Sequence, residues 1–250
     1  LADAADRYAA DDTITVDETG HNYHLIRARQ AQVRVVSLLV QYGRTGDRRY
    51  RDAALDYLRL IAGWDYWSWI TWRQHNPAYD AIFDLSYGEN ATTLALAYDW
   101  LAAELTPDER ALLVETARTR ALQPYLARNG VDGQTMWYFR SRNSNWNTVC
   151  NGGAGLLALA LGDACPESAA VLARVEEGIR HYFEFLQEDG AWPEGIGYWG
   201  YGHRYGYFYL LSHERATGRA HPLLARPGSR NTLRFPFLFS PHGVAAGFGD

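Results

Sequence analysis

The chain has 250 residues, of which 47% are hydrophobic, and this is enough for one domain with a substantial core. Its net charge of -5 excludes the basic surface that is typical of nucleic-acid-binding proteins. No apolar run approaches the roughly 20 residues that cross a bilayer, so we expect neither a nucleic acid nor a membrane as a partner.

Helical periodicity dominates the sequence. Apolar residues recur at steps of three and four, and Gly, Asn and Pro mark the ends of the periodic segments. One start is especially clear, because Thr106 can cap a helix, Pro107 suits its first position and Glu109 can close a capping box. The predicted helices cover residues 25–40, 47–62, 92–105, 107–127, 155–161, 169–186 and 205–217.

Consecutive predicted helices are joined by short turns and form pairs. The pairs repeat at roughly 55–65 residues, which favours either an α-solenoid or a closed α/α toroid. Strand patterns are nearly absent, apart from a weak possibility at residues 234–239. Since no low-complexity linker divides the sequence, we predict an all-α fold in one domain over residues 1–250.

Three segments break the helical pattern, at residues 64–87, 132–151 and 190–202. Each is rich in aromatic residues, Asn, Gly or His. Long loops carried by a helical scaffold are where binding and catalytic residues concentrate. The 9 Trp and 17 Tyr of the chain suit either a large aromatic core or contacts with sugar rings.

The first functional candidate is the Asn-rich segment before a predicted helix. Four Asn residues lie within nine positions, at residues 143–151, next to Arg142. Helix capping by Asn147 or Thr148 explains one or two of them. Capping does not explain all four beside an Arg, so we predict that at least one of them has a functional role.

The second candidate is the Gly-rich segment at residues 190–205. Tight turns between helices explain its glycines. A simple turn has no need for the other side chains, which we therefore predict to be functional: Trp192, Glu194, Tyr198, Trp199, Tyr201, His203 and Arg204.

Together these two segments resemble the heparinase II/III-like polysaccharide lyases. The resemblance rests on Asn-Trp-Asn at residues 145–147 before a Gly-Gly pair, and on Trp-Pro-Glu-Gly…Tyr-Trp-Gly-Tyr-Gly at residues 192–202. The sequence Ala-Tyr-Asp-Trp-Leu at residues 97–101 is similar to a recurrent helix of the same toroids, and the resemblance covers about residues 23–250.

The resemblance implies an incomplete α/α toroid of antiparallel helical hairpins, followed by a β-sandwich that this chain does not contain, with the active cleft between them. It implies β-elimination at a uronic acid of an acidic polysaccharide, by a secreted or periplasmic enzyme. The sequence starts at Leu1 without a signal-peptide pattern and stops at Asp250 without a helix end. We therefore expect a mature chain or a piece of a longer protein.

Catalytic roles follow from the resemblance. One group neutralises the sugar carboxylate, a base removes the adjacent proton, and an acid, often Tyr, protonates the leaving oxygen. The resemblance implies Asn145 as the neutralising group, with Asn147 second, and Tyr198 or Tyr201 as the acid. Several members carry an Asn-His pair where this sequence has Trp146 after Asn145, so the segment has no obvious base.

Further substrate contacts are predicted at His75, Arg142, Trp146, Trp192, Glu194, Trp199, His203 and Arg204.

Other polar residues have simpler explanations. Glu89 and Asn90 fit a helix start, where capping or dipole complementarity explains them about as well as function does. His21 and His24 lack a third ligand, so we predict no metal site and no cofactor in this chain; a structural metal in the β-sandwich stays open. The two cysteines, Cys150 and Cys165, are too few for a disulfide framework, although they could pair.

Two other functions remain open at this point. An α/α-toroid glycoside hydrolase would need two carboxylates, and Glu194 could act with Asp80, Asp84 or Asp189. A non-catalytic carbohydrate-binding helical domain would bind a polysaccharide without turnover. A lyase differs from a hydrolase because its product carries a conjugated double bond that absorbs in the near ultraviolet. Neither the polymer nor the oligomeric state follows from the sequence.

Overall fold

The computed structural model describes residues 1–69, 84–130, 135–240 and 243–244. These residues are helical and contain no strand, which confirms the predicted all-α class. None of the helices in these ranges is both long and apolar enough to cross a membrane. The α-helices are α1 (Ala2–Ala10), α2 (Tyr23–Thr45), α3 (Arg48–Gly63), α4 (Leu85–Leu101), α5 (Pro107–Ala117), α6 (Gln123–Arg128), α7 (Asn145–Leu161), α8 (Ser168–Phe185), α9 (Ile196–Thr217), α10 (Pro227–Asn231) and α11 (Phe235–Phe239).

The predicted capping box is present at the start of α5. The hydroxyl of Thr106 accepts a hydrogen bond from the backbone N–H of Glu109, and the Glu109 carboxylate accepts one from the N–H of Thr106 at 2.9 Å. The helix continues through one π turn, Arg118–Leu122, into α6 and ends before Asn129. Local chemistry therefore sets both ends of this segment, as predicted.

Three helices begin earlier than the periodicity predicts. Helix α4 starts at Leu85, α7 at Asn145 and α9 at Ile196, about seven to ten residues before the predicted starts. Gly, Asn and aromatic residues in these turns have weak helix propensity, but burial against neighbouring helices outweighs that preference. Most of the two predicted functional segments therefore lies on helices rather than in loops. The weak strand candidate at residues 234–239 was also wrong, because these residues are helical.

Helices α2, α4, α7 and α9 run in the same direction and pack side by side. In each neighbouring pair, residues near the N-terminus of one helix contact residues near the N-terminus of the other, and residues further along the two helices also contact each other. These contacts are Arg29–Glu89 and Gln32–Thr93 for α2 and α4, Asp84–Cys150 and Gly88–Gly153 for α4 and α7, and Thr148–Gly202 and Gly155–Tyr209 for α7 and α9.

The intervening helices run the opposite way. In α7 and α8, Asn147 meets Gly178 whereas the later residue Gly155 meets the earlier Val175. Helices α2 and α3 are joined by a two-residue turn that contains Gly46, whose φ of 70° lies in the left-handed region. Each long helix of the co-directional set therefore places its first turns at the same end of the molecule.

Glycine allows the central helices to touch through their backbones. A Cβ atom at Gly153 would lie 2.7 Å from the carbonyl oxygen of Gly88, and one at Gly152 would lie 2.8 Å from that of Tyr205. Any side chain at these positions would separate α7 from α4 or α9. The close approach holds the first turns of the three helices in fixed positions relative to one another.

Candidate functional site

The structure brings the two predicted segments together. The Thr148 hydroxyl donates to the carbonyl of Gly202 at 2.7 Å, and the Glu194 carboxylate accepts a hydrogen bond from the backbone N–H of Asn145 at 2.8 Å. Gly195, with a φ of 90°, leads the chain from Glu194 directly into α9. The first turns of α7 and α9 are thus adjacent, next to the first turns of α2 and α4.

A buried carboxylate joins three of these helices. Glu89 of α4 has 0% of its surface exposed. Its Oε1 atom lies 2.9 Å from the Nε atom of Arg29 in α2 and accepts a hydrogen bond from the Tyr201 hydroxyl of α9 at 2.8 Å. Its Oε2 atom accepts a second bond, from the hydroxyl of Tyr205. A buried carboxylate is strongly destabilising unless it is paired and hydrogen-bonded, and here both oxygens have partners.

The ring of Tyr201 lies between two guanidinium groups. The Cζ atoms of Arg29 and Arg204 are 4.6 Å and 5.6 Å from its centre, within the range of cation–π attraction. Burial, and next the negative charge of Glu89, raise the pKa of Tyr201 well above its usual value, although Arg29 opposes this change. Tyr201 is therefore a neutral phenol at neutral pH, although two cations lie near its ring.

An open pocket of ≈ 560 Å³ lies in front of this cluster. It is lined by Arg29, Gly197, Tyr198, Tyr201 and Arg204. Tyr198 is 37% exposed, and its hydroxyl has no hydrogen-bond partner among the described residues. Arg204 is also exposed, and no carboxylate in the described ranges forms an ion pair with it. The part of the pocket that the structure describes therefore presents cations and phenols but no carboxylate.

Asn145, the predicted neutralising residue, is buried and bonded to protein. Its side-chain amide donates to both oxygens of Glu194 at 3.2 Å, in addition to the backbone bond. The carboxylate of Glu194 thereby caps the first turn of α7, where a negative charge is favourable. The Oδ1 atom of Asn145 is buried without a hydrogen-bond partner. The donor group that would hold a substrate carboxylate is thus already engaged.

Asn147 lies further inside the protein. Its amide donates three hydrogen bonds, to the carbonyls of Tyr138, Phe139 and Gly178, at 2.9–3.2 Å. It has no exposed surface. The structure therefore places Asn147 in the packing between α7 and α8, out of reach of a substrate.

Three predicted substrate contacts on α9 and before it are packing residues. The buried ring of Trp192 lies 4.3 Å from that of Tyr182, and the Trp199 indole donates to the Thr232 hydroxyl at 2.8 Å. His203 is buried, and its nitrogens lie within hydrogen-bond distance of Tyr182, Trp199 and Thr232. Burial lowers the pKa of His203 to about 4, so this residue is neutral at pH 7 and cannot attract a carboxylate as a cation.

Trp146 belongs to an aromatic group beside the pocket. Its ring lies 5.0 Å from that of Trp137 and 6.1 Å from that of Trp69. Trp146, Trp69 and Tyr201 pack against the same small apolar cluster, so the group is continuous with the pocket wall. Trp137 is 58% exposed and was not singled out in the sequence.

The remaining predicted contacts are less informative. Arg142 is exposed and has no ion-pair partner among the described residues. His75 lies outside the described residues, as does Asp80. Cys150 and Cys165 are free and buried, so they do not pair. No group of three or more potential metal ligands occurs within the described ranges.

Two of the carboxylates proposed as partners of Glu194 in a glycoside hydrolase, Asp84 and Asp189, lie within the described residues. Asp84 is fully buried and caps α4, accepting hydrogen bonds from the backbone of Ser86 and Trp69 and from the Ser68 hydroxyl. Burial raises its pKa to about 6. Asp189 lies in an exposed turn, where it accepts from the N–H of Ala191. Because Asp84 cannot reach a substrate, its pairing with Glu194 is excluded in this conformation.

Arg29 and Glu89 are the main site residues that sequence reasoning missed. Glu89 was interpreted as a helix-start residue, but it lies in the second turn of α4, whose first eleven residues are all buried. It is the only carboxylate among those eleven residues, and this isolation is the signal that could have identified it. Arg29 has no comparable signal, since its importance arises only from contact with Glu89 and Tyr201.

A scan of the chain against models of known protein families finds no match, and a search of curated proteins finds no significant match.

Proposed function

We propose that this chain is the α/α-toroid region of a polysaccharide lyase that cleaves a uronic-acid-containing polymer by β-elimination. The observation that carries the proposal is the pocket at the start of α9, where two guanidinium groups and two tyrosines meet and, among the described residues, no carboxylate is part of the lining. Such a set can bind an anionic sugar and donate a proton, whereas a glycosidase needs a pair of carboxylates.

The helix directions support the toroid. Hairpins α2–α3, α4–α5 and α7–α8 each pair a helix of the co-directional set with one that runs the other way, and α9 would begin a fourth hairpin. Repeated hairpins of this kind are the building units of α/α toroids and of solenoids. The β-sandwich that would close the cleft is part of the proposal.

Arg204, supported by Arg29, takes the role of holding the substrate carboxylate. The guanidinium neutralises the negative charge of the substrate carboxylate. This makes the adjacent C–H more acidic and stabilises the enolate that forms when the proton leaves. Arg204 suits the role because it is exposed in the pocket and unpaired within the described ranges, whereas Asn145 already bonds to Glu194.

Tyr198 is the better candidate for the acid that protonates the leaving oxygen. The Tyr201 hydroxyl donates its proton to Glu89, so that proton is directed away from the pocket. The Tyr198 hydroxyl is accessible and has no competing acceptor among the described residues. Tyr201 then acts as a positioning residue that holds the two Arg side chains. Two candidates for the base lie outside the described residues: His75, and a group of the proposed β-sandwich.

The substrate in this proposal is an acidic polysaccharide, and the enzyme acts in the periplasm or outside the cell. The test uses the full-length protein that contains this sequence, assayed on a panel of uronic-acid polymers. The expected result is a product that absorbs in the near ultraviolet because of its new conjugated double bond. New reducing ends without this absorbance would identify a hydrolase, and binding without either would identify a carbohydrate-binding domain.

Replacement of Tyr198 by Phe tests the acid assignment. The change removes only the hydroxyl, so we expect kcat to fall by about 10² or more while substrate binding changes little. A suitable control is Tyr42→Phe, because Tyr42 lies near the other end of α2. If Tyr198→Phe retains the turnover of the parent, the assignment of the acid is wrong.

A further inference from the structure

The pocket at the start of α9 holds two cations, but only one is uncompensated. Arg29 is ion-paired to the buried carboxylate of Glu89, so this pair adds no net charge. Arg204 has no acidic partner within the described ranges. Tyr201 adds no charge, because its pKa is raised and its hydroxyl donates to Glu89. The described residues of the pocket therefore carry a net charge of about +1.

A net charge of this size matches a sugar with one negative group. The planar guanidinium of Arg204 can bind one carboxylate through two hydrogen bonds. A sulfate on the same or the next sugar would bring a second negative charge, for which the described pocket offers no second free cation. The whole chain carries a charge of -5, so its long-range field also disfavours a densely charged polyanion.

From this charge balance we infer that the pocket is selective for a uronate residue whose carboxylate is its only charge, so that the substrate is an unsulfated polymer. The inference rests on the proposed lyase function. In this inference Arg204 binds the carboxylate. The Arg29–Glu89 pair is the reason why the pocket binds only one negative charge.

Glu89 is central to this selectivity although it does not line the pocket. Without it, Arg29 would become a second free cation beside Arg204. Both would then face the ring of Tyr201, and the pocket would suit a doubly charged sugar. The buried carboxylate of Glu89 thus determines the net charge of the pocket although it is not part of the pocket lining.

The test compares unsulfated polymers with sulfated counterparts; of the two pairs used, chondroitin and chondroitin sulfate differ only in sulfation and give the decisive comparison. The full-length protein is assayed on chondroitin and chondroitin sulfate, and on heparosan and heparan sulfate, by the ultraviolet absorbance of the product. We expect kcat/KM to be at least about tenfold higher for the unsulfated member of a pair, which corresponds to one unfavourable charge contact. Equal or faster cleavage of the sulfated member overturns the inference and leaves the lyase function standing. Cleavage of none of the four, nor of alginate, overturns both.

A change of pocket charge tests whether this pocket is responsible. A Cβ atom at Gly197 would meet nothing within 4 Å, so Gly197→Lys can add a cation without displacing a neighbour. We expect this variant to lower the ratio of unsulfated to sulfated kcat/KM by about fivefold or more. The matched control is Gly197→Gln, which adds a side chain of similar reach without the charge and should leave the ratio near that of the parent.

Two results contradict the role of the pocket. If Gly197→Lys leaves the ratio unchanged while its circular dichroism and Tm match those of the parent, the selectivity is read elsewhere. If Gly197→Gln changes the ratio as much as Gly197→Lys does, the effect is steric rather than electrostatic. Either result overturns the assignment of selectivity to pocket charge.

Discussion

The first turns of α7 and α9 both combine glycine with polar and aromatic side chains, but the structure uses them differently. In α7 the polar groups point into the protein, where Asn145 bonds to Glu194 and Asn147 bonds to three carbonyls. In α9 one side is packed, and the other side presents Tyr198 and Arg204 to an open pocket. A cluster of Asn and Gly at a helix start thus indicates close packing as readily as function, and solvent exposure separates the two.

The largest effect expected from this comparison concerns a glycine of α7. Gly153→Ala places a Cβ atom against the backbone of Gly88 in α4, which cannot move aside as a flexible side chain would. We expect the free energy of unfolding to fall by about 3 kcal/mol or more, measured by urea titration. The control in α9 is Gly200→Ala, whose Cβ would meet nothing within 4 Å and which should be neutral or slightly stabilising. Equal losses in the two variants would contradict the proposed difference between the helices.

The second largest effect of a substitution on stability is expected at the buried side-chain amide of Asn147 in α7. Asn147→Ala removes the donor shared by the carbonyls of Tyr138, Phe139 and Gly178. The carbonyls of Tyr138 and Phe139 keep a second donor, from Ser141 and Asn151 respectively, so the loss comes from the buried hydrogen bonds removed and the space that Ala leaves. We expect the free energy of unfolding to fall by about 2 kcal/mol. Asn143 is exposed in the same segment, so Asn143→Ala serves as the control and should change stability little. A small loss in Asn147→Ala would mean that the Asn cluster of α7 is not primarily structural.

The burial of His203 on the packed side of α9 predicts that the free energy of unfolding depends on pH. Burial lowers the pKa of His203 from 6.5 to about 4, so between these values the unfolded chain binds more protons than the folded one. The stabilisation from neutral His203 is present above pH 6.5 and is lost as the pH falls toward 4, by up to about 3 kcal/mol. Asp84 has the opposite sign over a similar range, because its pKa is raised to about 6.

Comparison with His203→Gln isolates this contribution, since Asp84 titrates in both proteins. Urea unfolding at pH 7 and pH 4.5 should show a larger loss of stability in the parent than in His203→Gln. An equal loss in both proteins would mean that His203 is protonated in the folded state, as expected of a residue that contacts carboxylates.

The smallest effect on stability is expected on the open side of α9. Arg204 is exposed and forms no ion pair within the described ranges, and its cation–π contacts with Tyr201 and Tyr205 are of the weak, exposed kind. Arg204→Gln should therefore lower the free energy of unfolding by no more than about 1 kcal/mol. The same change should lower kcat/KM about 10²-fold on the cleaved polymer, because it removes the contact to the carboxylate. Arg204→Lys, which keeps the charge, should restore part of this activity. A loss of stability without a change in kcat/KM would make Arg204 a structural residue.

The burial of the predicted site residues shows which features of the site the sequence alone does not predict. The two segments, which the sequence marks as concentrations of unusual residue types, are neighbours in the fold. The choice among their members was less successful: Asn147, Trp192 and His203 are buried, whereas Arg29 and Glu89 were missed. Side-chain direction decides this outcome, and direction depends on helix starts that propensity placed up to ten residues too late.

The sequence by itself determined the all-α class and the limits of α5 and α6. Apolar spacing and the capping box of Thr106 and Glu109 act between residues a few positions apart, so they can be recognised without knowledge of the fold. Tertiary structure alone decided the early starts of α4, α7 and α9, because contacts such as Gly88 against Gly153 stabilise turns that would not be helical in isolation. It also decided the charge of the pocket, since Glu89 meets Arg29 and Tyr201 across 60 and 112 positions of sequence. Burial makes that pairing strong, and burial is a property of the packed molecule rather than of any segment.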